Sequence, residues 1–125
     1  MRLNDLPPNV RAQVEAQLPA KPKRQRGPNR MERAFGEYLR SDSSRPLVRF
    51  EDVTLRLGHD CRYTPDYVCA SEGPGEWEIN AFEVKGFQRD DAMVKLRVAA
   101  REYPWIRFHL VTGKPGAWQI QEVPR

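Results

Sequence analysis

One stretch, residues 62–87, constrains the fold of this chain more than any other segment. It reads RYTPDYVCASEGPGEWEINAFEVKGF, and the Gly-Pro-Gly at its middle is a strong turn signal between two apolar runs. Both runs have the composition and alternation of β-strands, although charged residues are set into them. The stretch therefore predicts a hairpin that carries Asp66 in its first strand and both Glu83 and Lys85 in its second.

The register of this hairpin predicts which charged side chains meet. If the strands pair without a bulge around a centre between Pro74 and Gly75, Asp66 falls opposite Glu83. Strand alternation then places Lys85 on the same side as Glu83. Two adjacent carboxylates repel each other unless a cation lies between them or one is protonated, and Mg²⁺ prefers such oxygen ligands. The pattern predicts a metal site with a lysine beside it that can position or activate water or offset the charge of a phosphate.

Two simpler interpretations compete with the metal site. A Glu-x-Lys on one strand face is common as a solvated ion pair, and Pro-Asp is common at a turn or at the start of a strand. We favour the metal site because an Asp, a short hairpin and a Glu-x-Lys at the end of a strand occur together.

The rest of the chain predicts an α/β domain over residues 29–125. The segment NRMERAFGEYLR predicts a first helix, with Asn29 as its N-cap and Glu32 placed as in a capping box. DAMVKLRVAAREY predicts a second helix. Four strands are predicted by LVRFEDVTLRL, CRYTPDYVCA, WEINAFEVKGF and IRFHLVT, and AWQIQEV predicts an edge strand. This order indicates a mixed sheet whose parallel pair is joined through the second helix.

Residues 1–28 predict a separate arm that is basic and rich in proline. Five prolines exclude a long regular element, while NVRAQVEAQL fits a short amphipathic helix. Residues 1–30 hold seven basic and two acidic residues, whereas the remainder holds 14 basic and 15 acidic ones. A basic arm on a near-neutral domain is typical of a protein that binds a polyanion, most often nucleic acid. A solubilising tail without a partner is the alternative.

Other patterns exclude several classes of protein. No apolar run approaches the roughly 18 residues that span a bilayer, and the first 30 residues lack the apolar centre of a signal peptide. We therefore expect a cytoplasmic protein, in its own cell or in that of a host, with no membrane partner. The two cysteines lack any Cys-x-x-Cys spacing, which indicates neither a zinc site nor a disulfide framework.

Pro65-Asp66 followed by Glu83-Val84-Lys85 resembles the motif that names the PD-(D/E)XK nuclease superfamily. The predicted order of elements is similar to its restriction-endonuclease-like core, a mixed sheet of four to five strands flanked by helices. Over about residues 29–112, the segments TPD, EVKG, DDAMVK and the following AA and YP also resemble a family of small phage and prophage proteins.

The resemblance implies roles for particular residues. It implies that Asp66 and Glu83 bind a divalent metal, that the Val84 carbonyl is a further ligand, and that Lys85 assists the attacking water. It also implies an acidic catalytic residue on the first helix, Glu32, for which the capping box is the alternative role. The expected phosphate contacts are Lys95 on the second helix, with a solvated helix face as its alternative, and the basic residues of the arm, namely Lys21, Lys23, Arg24 and Arg26.

Together these features predict a DNA endonuclease that depends on Mg²⁺, for which Mn²⁺ substitutes. A phage setting favours branched or replicating DNA as substrate, and resolution of a junction favours a homodimer because two symmetric strands are cut. We expect no small-molecule organic cofactor. The alternatives are a non-catalytic module that binds DNA or a partner in phage replication or packaging, and a subunit that cuts only with a partner protein.

Overall fold

The computed structural model describes residues 27–85 and 90–125. Within these ranges the chain is a mixed α/β protein, and this coarse fold class agrees with the sequence prediction. The elements are α1 (Arg30–Arg40), β1 (Leu47–Phe50), β2 (Leu55–Gly58), β3 (Cys61–Tyr63), β4 (Tyr67–Gly73), β5 (Glu76–Val84), α2 (Asp90–Glu102), β6 (Ile106–Lys114) and β7 (Ala117–Glu122). The short helix predicted in the arm lies outside the described residues.

Five strands form the main sheet in the order β1-β4-β5-β6-β7, and β2 and β3 form a small separate sheet. Neighbouring strands of the main sheet are antiparallel except for β5 and β6, which are parallel. A parallel pair requires a crossover connection, and α2 lies in it as predicted. The predicted edge strand is confirmed as β7.

The hairpin of β4 and β5 has the predicted register. Tyr67 pairs with Phe82, and the pairing continues without a shift to Gly73 and Glu76. Gly75 closes the turn with a φ of 82°, a backbone conformation that glycine adopts without steric cost. Asp66, one residue before the first pair, therefore lies beside the end of β5 that carries Glu83.

Two segments that were predicted as single strands are each broken into two. The first divides into β1 and β2 after Glu51, whose φ of 47° turns the chain out of the extended conformation. The second divides into β3 and β4 at Thr64–Asp66, where Pro65 has no N–H to offer a neighbouring strand. The prediction that Asp66 lies within a strand is therefore wrong, because Asp66 lies in the break between β3 and β4.

The core consists of two apolar clusters on opposite faces of the main sheet. Phe35 and Leu39 of α1 pack against the face that carries Phe82, whereas Leu96 of α2 packs against the face that carries Ala81. Because successive residues of a strand point to opposite faces, β5 contributes to both clusters. Its last five residues, 80–84, are all buried, as expected for a central strand covered on both sides. Neither α1 nor α2, the helices in the described ranges, has the length and apolar character needed to cross a membrane.

Candidate metal centre

Asp66 occupies the centre of the candidate site and is fully buried. Its Oδ2 accepts a hydrogen bond of 2.7 Å from the backbone N–H of Val84, which fixes the carboxylate at the end of β5. Its backbone carbonyl accepts a hydrogen bond of 2.9 Å from the N–H of Glu51. Through these two bonds the break between β3 and β4 is held to β5 on one side and to the end of β1 on the other.

Three carboxylates converge at this point. Glu32, Glu51 and Asp66 each offer one oxygen, and these oxygens all lie within 4.8 Å of one another. We call this group the acidic cluster. Opposite ligands of one Mg²⁺ ion are about 4.2 Å apart, twice the usual Mg–O distance. Carboxylate oxygens are also the donors that hard divalent cations select, so the donor set fits Mg²⁺ or Mn²⁺, and its oxygens are near enough to converge on one ion.

Glu32 is a helix cap and a member of the acidic cluster at the same time. Its backbone N–H donates to the Asn29 side chain at 2.8 Å, and its Oε1 accepts from the Asn29 N–H at 2.9 Å, which completes a capping box. The two roles that the sequence left as alternatives therefore do not exclude each other in space. The cap fixes the carboxylate at the first turn of α1.

Tyr67 ties α1 to the sheet next to Asp66. Its hydroxyl donates a hydrogen bond of 2.8 Å to the backbone carbonyl of Glu32. The fully buried ring lies against Gly36, where an added Cβ would come within 2.7 Å of the ring atom Cζ. Burial raises the pKa of the Tyr67 hydroxyl and the nearby Arg40 guanidinium partly opposes that rise. The hydroxyl is therefore protonated at neutral pH and remains a donor.

A second group of polar side chains lies beside the acidic cluster. It is centred on Glu83, which is only 4% exposed. One carboxylate oxygen, Oε1, lies 3.1 Å from Nζ of Lys85, and the other, Oε2, accepts a hydrogen bond of 2.8 Å from the Tyr63 hydroxyl. The Lys85 side chain is 30% exposed, so it contacts both the buried Glu83 carboxylate and solvent. Lys85 directly follows the last residue of β5, and its contact with Glu83 places the two side chains on the same side of the chain, as alternation predicts.

The Tyr63 hydroxyl stays protonated and therefore remains a hydrogen-bond donor to Glu83. Burial raises the pKa of the Tyr63 hydroxyl well above its ordinary value, and the neighbouring charge of Glu83 raises it further. The phenol consequently keeps its proton through the physiological range of pH. Because Tyr63 belongs to β3, this hydrogen bond also attaches the small β2–β3 sheet to the main sheet.

The residues predicted for the site fall into different places. The structure brings Asp66 together with Glu32 in the acidic cluster and pairs Glu83 with Lys85. Glu83 is not a member of that cluster among the described residues. The backbone N–H of Val84 binds Asp66, and the metal set of Asp66, Glu83 and the Val84 carbonyl stays a prediction. Lys95 is exposed on α2, and the predicted phosphate contacts of the arm lie outside the described residues.

Sequence reasoning missed two residues of the site, Glu51 and Tyr63. Glu51 falls inside what the sequence predicts as one long strand, and the polar pair Glu51-Asp52 inside an otherwise alternating run is the signal that could have suggested a break there. Tyr63 carries no such signal, because its partner Glu83 is 20 residues away in the chain.

Comparisons with known protein families, with curated proteins and with solved structures found no match for this chain.

Proposed function

We propose that this protein is a metal-dependent nuclease of the PD-(D/E)XK type that hydrolyses phosphodiester bonds in DNA. The observation that carries the proposal is the position of Asp66. This buried carboxylate lies in the acidic cluster and is at the same time hydrogen-bonded to the end of β5, which carries Glu83 and is followed directly by Lys85. An acidic cluster that can hold a divalent cation, with a lysine near it, suits metal-assisted hydrolysis of a phosphodiester.

Glu32, Glu51 and Asp66 would hold the divalent metal; of the ligands predicted from the sequence this set keeps Asp66, and Glu83 instead orients Lys85. When bound, Mg²⁺ supplies positive charge that stabilises the phosphorane-like transition state and the leaving oxygen. The chain prepares this site at a cost, because carboxylates held within 4.8 Å of one another repel. Hydrogen bonds to Asp66 and to Glu32 keep these side chains in place.

Lys85 would act on the water or on the phosphate. In hydrolysis one P–O bond forms to the oxygen of water, one P–O ester bond breaks, and a proton passes from the water to solvent or to the leaving oxygen. The Lys85 ammonium can donate a hydrogen bond to the attacking water or to a phosphate oxygen. Glu83 holds that ammonium at 3.1 Å, and Tyr63 holds Glu83, so the lysine is oriented from the interior.

Branched or replicating phage DNA is the substrate that we propose within this class, and cutting of symmetric junctions would be done by a homodimer. The competing function is a nuclease fold that binds DNA or a partner protein without cutting. The Glu83–Lys85 pair alone would suit that function, since an ion pair of this kind also occurs as a purely structural contact.

Metal binding is the first test, because it separates the nuclease from the non-catalytic module. Calorimetry with Mn²⁺ is expected to detect binding to the native protein and none to Asp66→Asn, a change that removes a charge but keeps an acceptor for the Val84 N–H. Glu32→Gln should also weaken binding, since glutamine preserves the capping box and only the charge is lost. Glu37→Gln, an exposed site on α1, is the matched control.

Cleavage is the second test. Linear, flapped and four-way DNA would be incubated with Mg²⁺, with Mn²⁺ and with EDTA, using native protein, Asp66→Asn and Lys85→Met. We expect cutting only with metal and its loss in both variants. Absence of Mn²⁺ binding, or metal binding that is unchanged in Asp66→Asn, would refute the nuclease assignment. If the protein binds metal but cuts DNA only after a partner protein is added, the result would support the partner-dependent subunit.

A further inference from the structure

A positively charged pocket lies between the end of α1 and β1, and its volume is about 360 Å³. Among the described residues that line it are three arginines, Arg40, Arg45 and Arg49, and a single carboxylate, that of Asp42. The arginines come from the last turn of α1, from the connection that follows and from β1. We call this concavity the arginine pocket, and its lining has an excess of positive charge.

The single carboxylate is already committed within the protein. Asp42 accepts hydrogen bonds from the hydroxyl and the backbone N–H of Ser44, and these bonds lower the pKa of its carboxyl group. It lies 3.7 Å from Arg45, whose guanidinium also packs over the Phe82 ring at 5.9 Å. Arg45 therefore has a partner and a structural role, so it is not the residue that would respond most to a ligand.

Arg40 and Arg49 are the guanidiniums that an anion can reach. Arg40 is exposed, but its guanidinium lies 5.9 Å from the centre of the Tyr67 ring and interacts with the Tyr67 hydroxyl, so Arg49 is the less committed of the two. The Arg49 side chain is 61% exposed, and its ion pair with Asp52 at 3.5 Å is equally open to water. An exposed pair of this kind contributes little free energy, so an incoming anion can displace it at small cost.

β1 connects the arginine pocket to the acidic cluster, because Arg49 lies in this strand and Glu51 directly follows it. Arg49 precedes Glu51 by two residues, and because the chain turns at Glu51 their Cα atoms are at most about 7 Å apart. Each nucleotide of a strand carries one phosphate, so a phosphate that neighbours the one at the acidic cluster lies within the range of a side chain this close. A strand that places one phosphodiester at the acidic cluster would thus bring a nearby phosphate to Arg49.

We propose that the arginine pocket binds a backbone phosphate of the nucleic-acid strand that is cut. Guanidinium groups match phosphate because they donate two parallel hydrogen bonds and keep their charge at every relevant pH. The identity of the polymer rests on the nuclease function proposed above. Binding of the phosphate itself needs no metal, so the pocket can be tested apart from catalysis.

The test measures binding of labelled DNA by fluorescence anisotropy in EDTA, where no cutting occurs. The variants are Arg49→Gln and Arg40→Gln, and the control is Arg101→Gln, which removes the same charge from an exposed site in the last turn of α2, packed on the opposite face of the sheet. Each pocket variant is expected to bind about tenfold more weakly, as for removal of one charge-assisted hydrogen bond. The slope of log affinity against log salt should fall by about 0.9 for each duplex phosphate that the variant no longer neutralises, whereas the control changes neither quantity.

The outcomes separate this proposal from the nuclease function. Pocket variants that bind DNA as tightly as the Arg101→Gln control overturn the pocket, even if the native protein cuts DNA. Weakened binding in those variants supports the pocket, even if no cutting is ever seen. Native protein that binds no DNA in EDTA also overturns the pocket.

Two competition arms identify the ligand. In the first, inorganic phosphate competes with the labelled DNA, and chloride at equal ionic strength is the comparison. In the second, polyglutamate competes with the labelled DNA. If Arg49→Gln loses affinity for free phosphate or for polyglutamate but not for DNA, the pocket serves a small anion or an acidic protein and the proposal is overturned. Loss of affinity for DNA that is larger than the loss for either competitor supports a backbone phosphate.

Discussion

Tyr63→Phe tests whether Glu83 is held in place by a buried hydrogen bond. The substitution removes one hydroxyl and keeps the ring, so it leaves the packing of this buried side chain almost unchanged. The substitution deletes the hydrogen bond of 2.8 Å from the Tyr63 hydroxyl to Oε2 of Glu83, which is only 4% exposed. The second oxygen keeps its contact with Lys85 at 3.1 Å.

The structure sets the magnitude of the effect. A hydrogen bond to a charged group contributes about 1.5–3 kcal/mol, and a buried carboxylate that loses a donor cannot recover it fully from water. We therefore expect the free energy of unfolding to fall by about 2 kcal/mol. In a domain of this size, each kcal/mol corresponds to roughly 4–8 °C, so the melting temperature should fall by about 10 °C.

Thermal and urea unfolding measure this loss, and Tyr103→Phe is the matched control. The Tyr103 hydroxyl donates to the backbone carbonyl of Arg56 at 2.8 Å and accepts from the Arg56 N–H at 3.1 Å, so that variant loses two hydrogen bonds, but to neutral and more exposed groups that water can satisfy. Its expected cost is about 0.5–1.5 kcal/mol. A Tyr63→Phe protein that is no less stable than Tyr103→Phe would contradict the view that this bond supports a buried charge.

The alkaline limb of stability gives an independent measurement. The folded-state pKa of Tyr63 lies above its unfolded value, so the folded state holds the proton more tightly. Stability from this group is fully present below about pH 10, the ordinary pKa of tyrosine, and is lost as pH rises towards the folded value. Tyr63→Phe should remove this component of the alkaline loss, whereas Tyr103→Phe should retain it.

Three further predictions concern other parts of the fold. Gly36→Ala should destabilise the protein by about 1–3 kcal/mol in urea unfolding, because the added Cβ would collide with the buried ring and hydroxyl of Tyr67. An unchanged midpoint would contradict that packing. Burial lowers the pKa of His109, so its contribution to stability is present above its ordinary pKa of about 6.5 and is lost as pH falls. His109→Gln should therefore flatten the decline in stability between roughly pH 7 and pH 5. Iodoacetamide should modify exposed Cys61 in the folded protein and should reach Cys69 only after unfolding, because Cys69 is buried and its thiol pKa is raised. Equal labelling rates would contradict this difference.

The hairpin of β4 and β5 could be predicted from the sequence because its determinants are local. The Gly-Pro-Gly turn fixes the centre of the hairpin, and alternation fixes which face each residue occupies. A slip by one residue would move every apolar side chain of β5 to the wrong face, so the register has no close competitor. The position of Asp66 next to the end of β5 follows from the sequence for this reason.

The membership of the acidic cluster could not be predicted in the same way. Alternation across residues 47–57 looks continuous, yet the chain turns at Glu51, a non-glycine residue with a φ of 47°. Nothing in the identity of Glu51 requires that conformation, which is held by tertiary contacts such as its hydrogen bond to the Asp66 carbonyl. The partners of Glu83 were missed for a related reason, since Tyr63 reaches it from a separate small sheet.

Stability alone does not explain the two carboxylates in this core. In the part of the chain that is described, the buried polar or charged residues are Asp66, Asn80 and Glu83. Asn80 is paired with His109 at 3.0 Å, a neutral contact of modest cost. Burying a carboxylate costs several kcal/mol even with good partners, and well-packed apolar residues in the same space are often as stable or more so.

The fold instead satisfies each carboxylate with donors that hold it in one position. Asp66 receives the Val84 N–H, and Glu83 receives the Tyr63 hydroxyl and the Lys85 ammonium. Both carboxylates lie at the same end of β5, where the partly exposed Lys85 leads from the interior to solvent. A pre-organised site requires fixed charge at the edge of a core, even at a cost in folding free energy, and this is the physical ground on which we propose a function for these residues.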